Sequence, residues 1–459
     1  MLTDSQKQAF RAYDIRGIFN QTFNSELVEK IGRALADELV LAGKQEIVVG
    51  RDGRLSGPEL IKSLITGLIS GGAKVKDIGM VPTPVTYLAG HRYTQGSAVM
   101  LTGSHNPPQY NGCKMMIAGD TLAAERITTL RDRINDNQFT NRDGGSEEKF
   151  EFLDEYIKRI VDDINLTKKL KIVIDCGNGV TGVLARDLFT QIGCEVEIMF
   201  EDIDGNFPNH HPDPSHSENL EQILIKIKNG NFDVGLAFDG DGDRVGVITK
   251  KGKIFAGDQL LMLLAEDVLK TNPNSKILYD VKCSSMLAPH IKKLGGEPIM
   301  VKTGHALIKR EIRKTNAKIA GEMSGHIFFN DRMPGYDDAI YAAARLLVMV
   351  DQGLDLDQWL ENLPILANTP ELNISCKEGE PHNIVKKLQE QGNFENAKVN
   401  TIDGIRAEFP EGFGLIRPSN TTPILVLRFE ATDQISINKI QSIFARELLK
   451  VKPDIKIPF

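Results

Sequence analysis

The chain lacks the cysteine pattern of a disulfide framework or a zinc site. Its five cysteines (Cys113, Cys176, Cys194, Cys283 and Cys376) are odd in number, widely spaced and contain no C-x-x-C pair, which reads as reduced thiols in the cytoplasm. No apolar run approaches the about 20 residues needed to span a bilayer, and the opening Met1–Lys7 stretch is polar, without the apolar core of a secretory signal. These absences predict a cytoplasmic protein with no membrane contact. A basic excess is missing too: 55 Lys and Arg stand against 62 Asp and Glu, a formal net charge of −7. That excludes a chain built to coat nucleic acid. An anionic ligand would have to be met by a local cluster of Arg and Lys working against the overall field.

What is present is a repeated cadence. At about 100–200 residues per domain, 459 residues suggest three or four domains. A helix is predicted over 24–43, with Asn24 or Ser25 as cap, Leu27, Val28, Ile31, Leu35 and Leu39 on one face, and Gly43 as the stop. A buried strand, Ile47-Val48-Val49-Gly50, then ends at Arg51-Asp52-Gly53-Arg54, and a second helix starts near Gly57. Strands ending in Asp recur at 171–175 and 276–280, and each block holds a later apolar strand running into a polar loop: 98–101 into Thr102-Gly103-Ser104, 234–238 into Asp239–Asp243, and 317–320 into Gly321–His326. This predicts three related mixed α/β sheet domains, at 1–150, 151–253 and 254–364, with a helical link around 150–164. The stretch 365–459 lacks the Asp-ended opening and carries the alternating run 424–429, so a smaller, mostly antiparallel α+β domain is predicted there. Sites in open α/β sheets form beyond the carboxyl ends of strands, so the loops can converge in one central cleft.

The strongest local motif is Asp239-Gly240-Asp241-Gly242-Asp243-Arg244. Clustered carboxylates repel one another unless a hard cation with oxygen ligands relieves them. A calcium EF-hand loop is excluded, because Arg244 and Lys250 stand where that loop needs Gly and Glu. Ser104 is the candidate phosphate carrier. Gly103 permits an unusual backbone angle and close approach, Pro107-Pro108 stiffen the loop, and His105 and Lys114 are nearby. Glu322 and Ser324, two apart in a loop taken as extended, would face the same way and suit sugar hydroxyls. In Arg417-Pro418-Ser419-Asn420-Thr421-Thr422-Pro423 a guanidinium stands among small donors, a pattern suited to gripping a phosphate. Lys282 and His305 are possible proton donors or sugar contacts. His210, His211 and His216 lie in a Pro-rich loop and read as structural.

These four loops, in this order, together with Tyr13-Asp14-Ile15-Arg16-Gly17, resemble the α-D-phosphohexomutase superfamily. Glu322-Met323-Ser324-Gly325-His326 is most similar to its bacterial phosphomannomutase/phosphoglucomutase branch. Met323 weighs against the phosphoglucosamine mutases, which remain an alternative; a phosphoserine-dependent sugar phosphatase and a metal-dependent sugar binder are others. The resemblance implies four domains around a cleft, as a monomer or weak dimer acting on phosphosugars. It implies a phosphorylated Ser104, and one Mg²⁺ held by Asp239, Asp241, Asp243 and an oxygen on Ser104. Glu322 and Ser324 would read the sugar, Arg417, Ser419, Asn420 and Thr421 would hold the non-reacting phosphate, and Tyr13, Lys282 and His305 would complete the substrate site. Lys114, His326, Arg16 and Arg244 are the implied catalytic groups, with His326 favoured as base and Lys114 as acid. Glucose 1,6-bisphosphate is the implied intermediate and activator.

Overall fold

The structure, a computed structural model, describes residues 1–420 and 422–459. Its first three sheets share one four-strand unit. In the first, Glu46–Arg51 runs parallel to Lys74–Met80 on one side and to Ala98–Leu101 on the other, and Ala98–Leu101 turns back antiparallel as Tyr110–Ile117. The second repeats this with Lys171–Asp175 between Glu195–Met199 and Val234–Phe238, followed by antiparallel Val245–Thr249. The third does so with Lys276–Asp280 between Glu297–Val301 and Ile319–Gly321, followed by Ile327–Phe329. The central strands are closed to solvent on both faces: Ile172, Val173 and Ile174 are 0% exposed. That burial explains their continuous apolar runs. In every unit, the loop carrying the candidate site residues is the turn between the parallel strand and its antiparallel return.

The fourth sheet is antiparallel throughout, with Ile424–Ala431 and Gly412–Pro418 at its centre and the helices Glu380–Gln391 and Gln434–Val451 packed against it. Ser419, Asn420 and Thr422 lie between these two central strands. One hydrophobic core runs continuously through the first three sheets, joining Val85 and Tyr87 to Ile174, Leu261 and Tyr341, whereas the fourth sheet has its own core around Phe429 and Phe444. The third and fourth sheets meet through a small apolar cluster of Val281, Met300, Phe413 and Leu415 and through buried polar contacts. Arg406 donates to the carbonyls of Val281 and Cys283 at 2.7 and 2.6 Å, and Glu430 accepts from the Ser285 amide at 2.8 Å.

Local signals held in most places. The first long helix is Ser25–Leu41, with Asn24 Oδ1 accepting from the Leu27 amide at 2.9 Å. The link helix is shorter than expected, Leu153–Val161, because Phe150 and Phe152 pack edge-on against Tyr93 instead of entering it. The strand Ser146–Lys149, wholly exposed and polar, pairs parallel to Lys74–Met80 and shows no hydrophobic alternation that would reveal it. Among the described residues, no helix is long and apolar enough to cross a membrane.

Candidate active site

Ser104 lies at the carboxyl end of Ala98–Leu101, 2% exposed, with a left-handed φ of +50°. The sequence assigned the unusual backbone angle to Gly103. The structure corrects this: Ser104 carries the strained angle, and Gly103 is required for space, because a Cβ there would lie 2.4 Å from the Arg54 guanidinium carbon. Ser104 Oγ donates to Asp239 Oδ2 at 2.9 Å and lies 3.1 Å from His105 Nδ1.

The acidic loop is built around Asp239. Its Oδ1 accepts the amides of Gly242, Asp243 and Arg244 at 3.0, 3.1 and 3.1 Å, and these bonds, with Gly242 at φ +75°, curl the loop. One oxygen from each of Asp239, Asp241 and Asp243 then falls within 4.8 Å of the others, and all three residues are fully buried. Lys114 Nζ donates to Asp241 Oδ2 at 2.6 Å and to Asp243 Oδ2, and Thr83 Oγ1 donates to Asp241 Oδ2 at 2.6 Å. Asp241 Oδ1 is buried with no hydrogen-bond partner among the described residues, and Asp243 Oδ1 is met by His326 Nε2 at 3.2 Å. Unpaired buried carboxylate oxygens are costly. An unpaired oxygen on Asp241, among three clustered carboxylates, gives a donor set that fits a hard divalent cation. Burial, then the charges of Asp241 and Asp243, pushes the Asp239 carboxyl well up. For Asp243, burial is outweighed by Lys114 and His326, which hold it well down.

Backbone bonds stitch the loops of different sheets together. The Thr83 amide donates to Asp241 O at 2.9 Å, and the Val245 amide to Gly325 O at 3.3 Å, beside an antiparallel bridge between Arg244 and His326. The third loop is a tight turn, not the extended segment expected: the Gly325 amide closes on Glu322 O at 3.0 Å, and Gly325 has φ +94°. Glu322 and Ser324 still converge, but on His326 Nδ1, at 2.9 and 3.0 Å, while His326 Nε2 lies 3.2 Å from Asp243. Burial works against a charged His326, but Asp243 and Glu322 prevail and hold its pKa at about 9. Lys114 is likewise desolvated yet held up by Asp241 and Asp243. Both groups hold their protons among carboxylates in this arrangement. His305 differs. Burial, then Lys309 and Lys114, holds its pKa well down, and its Nε2 has no hydrogen-bond partner among the described residues.

Most of the remaining expected residues are held by ion pairs, hydrogen bonds or ring contacts. Tyr13 meets the His305 ring edge-on, with centroids 5.3 Å apart. Arg16 is held by Asp14 at 2.6 Å and by Asn106. Arg244 Nε lies 3.3 Å from His326 Nε2, and its Nη1 3.6 Å from Asp213. Lys282 pairs with Glu371 at 2.7 Å, and Arg417 with Asp403 at 2.9 Å. Asn420 Nδ2 donates to Thr303 O at 3.3 Å, and Ser419 Oγ lies 3.0 Å from Thr422 Oγ1. Thr421 lies outside the described residues. His210 bonds Asp175 at 3.1 Å, and among the described residues no ligand-like cluster includes it, His211 or His216.

Sequence reasoning missed the partners of these groups: the buried Thr83, Asp213, Lys309 and Asp337, and the more exposed Glu371 and Asp403. Only Asp52 and Arg54 had a local signal, the charged tetrad Arg51–Arg54 at a strand end.

Comparison with known proteins agrees with this geometry. The chain matches the three alpha/beta/alpha domains of phosphoglucomutase/phosphomannomutase, domain I at residues 7–141, domain II at 154–252 and domain III at 256–365, and the C-terminal domain at 371–447. It is 51% identical over 451 residues to a phosphomannomutase/phosphoglucomutase of Pseudomonas syringae pv. tomato, covering 98% of this chain and 97% of that one. It is 50% identical over 441 residues to a phosphoglucomutase of Neisseria gonorrhoeae, covering 95% and 96%. A crystal structure of a phosphoglucomutase/phosphomannomutase family protein from Burkholderia thailandensis superimposes with a TM-score of 0.94 at 48% identity, over 100% of both chains. A buried serine against an acidic triad, facing a histidine–glutamate pair and a separate arginine loop, is thus carried on a full-length match in sequence and fold, and the chain belongs to the phosphoglucomutase/phosphomannomutase family.

Proposed function

We propose that the protein interconverts the 1- and 6-phosphates of mannose and glucose through phosphorylated Ser104 and a 1,6-bisphosphosugar. The observation that carries this reading is the placement of Ser104 Oγ 2.9 Å from Asp239 within a fully buried acidic triad. Arg417, paired with Asp403 at 2.9 Å, would supply a second anion grip. A phosphatase would have no need of that second grip.

Asp239, Asp241, Asp243 and an oxygen on Ser104 are the groups that would hold one Mg²⁺. Bound there, the ion neutralises charge on the phosphoryl oxygens. The protein's own groups do the rest. The free sugar hydroxyl attacks the phosphorus of phosphorylated Ser104 and loses its proton to a base, for which His305 Nε2 is the unpartnered imidazole nitrogen. The bond from phosphorus to Ser104 Oγ breaks, and Lys114 supplies the proton to the leaving serine oxygen. Arg16, Arg244 and protonated His326 surround the reacting phosphoryl with positive charge. Lys282, Tyr13, Glu322 and Ser324 orient the sugar, and Arg417, Ser419, Asn420 and Thr421 grip the phosphate that does not react. The bisphosphate then turns end for end and returns its other phosphoryl to Ser104, so the enzyme ends each cycle as it began. Free glucose 1,6-bisphosphate reloads an unphosphorylated Ser104. In the same reading the domains are 1–150, 151–253, 254–364 and 365–459, and the protein acts in the cytoplasm as a monomer or weak dimer.

The test is incubation with mannose 1-phosphate, Mg²⁺ and a trace of glucose 1,6-bisphosphate. Mannose 6-phosphate is the expected product. Release of inorganic phosphate would instead indicate a phosphatase, and an unchanged substrate a binding protein. Glucose and glucosamine phosphates run in parallel decide the sugar preference.

A further inference from the structure

The charged tetrad Arg51–Arg54 has no part in the mechanism above, yet Arg54 is 1% exposed and lies directly behind Ser104. A guanidinium carries five N–H donors, and here all five are used. Nη2 donates to the carbonyls of Ser104 at 2.7 Å and Asn106 at 2.6 Å. Nη1 donates to those of Pro107 at 2.6 Å and Tyr110 at 2.9 Å. Nε donates to Asp52 Oδ2 at 3.2 Å. The same Asp52 oxygen accepts from Thr102 Oγ1 at 2.7 Å and the Gly103 amide at 3.2 Å, and Thr102 Oγ1 in turn accepts the Ser104 amide at 2.7 Å. The pair therefore grips the serine loop from both sides of Ser104. Phe207, from the second sheet's domain, caps the guanidinium at 5.2 Å.

From this arrangement we infer that Arg54 is the positioning residue of the phosphoryl-carrying serine, an inference that rests on the mutase reading for its kinetic consequence. Two observations carry it. Ser104 sits at φ +50°, a conformation that is strained for a non-glycine residue and persists only where its surroundings impose it. Four carbonyls bound to one rigid planar fork impose it. Second, because every donor of Arg54 is occupied, the residue has none left for a substrate phosphate, so it acts through the loop and not on the reacting atoms. Lysine cannot replace it, since an ammonium has three donors and no planar fork.

The test compares wild type with Arg54→Lys and Arg54→Met. Misplacement of a reacting group by about 1 Å costs about 10²-fold in rate. We therefore expect kcat to fall about 10²-fold in Arg54→Lys, with KM nearly unchanged because the sugar and phosphate contacts lie on other loops. Loading of Ser104 by glucose 1,6-bisphosphate, followed by intact mass, should slow in parallel. Amide hydrogen exchange across 104–110 should accelerate in Arg54→Lys. Exchange does not depend on turnover, so it separates this inference from the mutase reading: a wild type without mutase activity refutes the latter alone. A folded Arg54→Lys enzyme with wild-type kcat, or one with unchanged exchange across 104–110, overturns the inference. Should Arg54→Met not fold, Arg54→Lys decides.

Discussion

The ammonium of Lys309 stands 2.7 Å from Asp337 Oδ1. The two belong to a buried polar network between the first and third domains. Lys309 also donates to the Tyr87 hydroxyl at 3.0 Å, sits 4.1 Å from the centroid of that ring and lies 3.2 Å from His305 Nδ1. Asp337 Oδ2 is 3.4 Å from the same imidazole nitrogen. Removing one partner of such a pair strands the other charge. Lys309→Met should cost about 3–5 kcal/mol of stability, read as a shift in the urea midpoint, and Asp337→Asn added to it should recover part of the loss. A Lys309→Met protein as stable as wild type would show that the pair bears no load.

The reacting group itself is simpler to test. Ser104→Ala removes the only atom proposed to carry the phosphoryl, while a small side chain still fits the loop. Mutase turnover should drop to background with the melting temperature preserved, and mass spectrometry should find no phosphoprotein. Retained turnover in Ser104→Ala would sink the phosphoserine mechanism.

Thr83 was invisible to sequence reasoning, yet its hydroxyl donates to Asp241 Oδ2 at 2.6 Å. Groups that orient a metal ligand in this way typically contribute about 10–100-fold to metal affinity. Thr83→Val keeps the shape and deletes the bond. The Mg²⁺ concentration for half-maximal activity should rise at least about 10-fold, with calorimetric Mg²⁺ affinity falling in step. In the wild type, chelation should abolish turnover and added Mg²⁺ should restore it.

His91 stacks on Tyr336 with centroids 5.9 Å apart. Burial, then the charges of Arg313 and Lys309, lowers its pKa to about 4 from 6.5. The folded state thus prefers the neutral ring, and the unfolded chain takes up the proton first as pH falls. The His91 contribution is complete above pH 6.5 and is lost as pH falls from there to about 4, a difference of about 3 kcal/mol. His91→Phe should keep the stacking and lose this dependence. The wild-type-minus-variant difference in unfolding free energy should therefore fall between pH 7 and pH 4, and a difference that stays flat over that range would contradict the assignment.

Much of the candidate site could be read without the fold because its carboxylates are neighbours in the chain. Asp239, Asp241 and Asp243 lie within one loop, and Asp239 Oδ1 binds amides only three to five residues on. The Asp-ended strands could be read for the same reason: burial on both faces leaves a short, continuous apolar run. The shape of the third loop was harder. Spacing alone placed Glu322 and Ser324 on one side, but the Gly325 turn directs them onto His326, a contact that depends on how the return strand Ile327–Phe329 pairs.

The sequence by itself determined the four-part architecture, the candidate serine, the acidic triad and the family, because each rests on short-range periodicity or adjacency. Tertiary structure alone decided which charges meet. Arg54 lies 50 residues from the Ser104 carbonyl it holds, Lys114 lies 127 from Asp241, and Tyr87 lies 222 from Lys309. A lysine or aspartate destined for burial looks, in sequence, like any solvated surface charge. Only packing removes its water and so makes its partner obligatory.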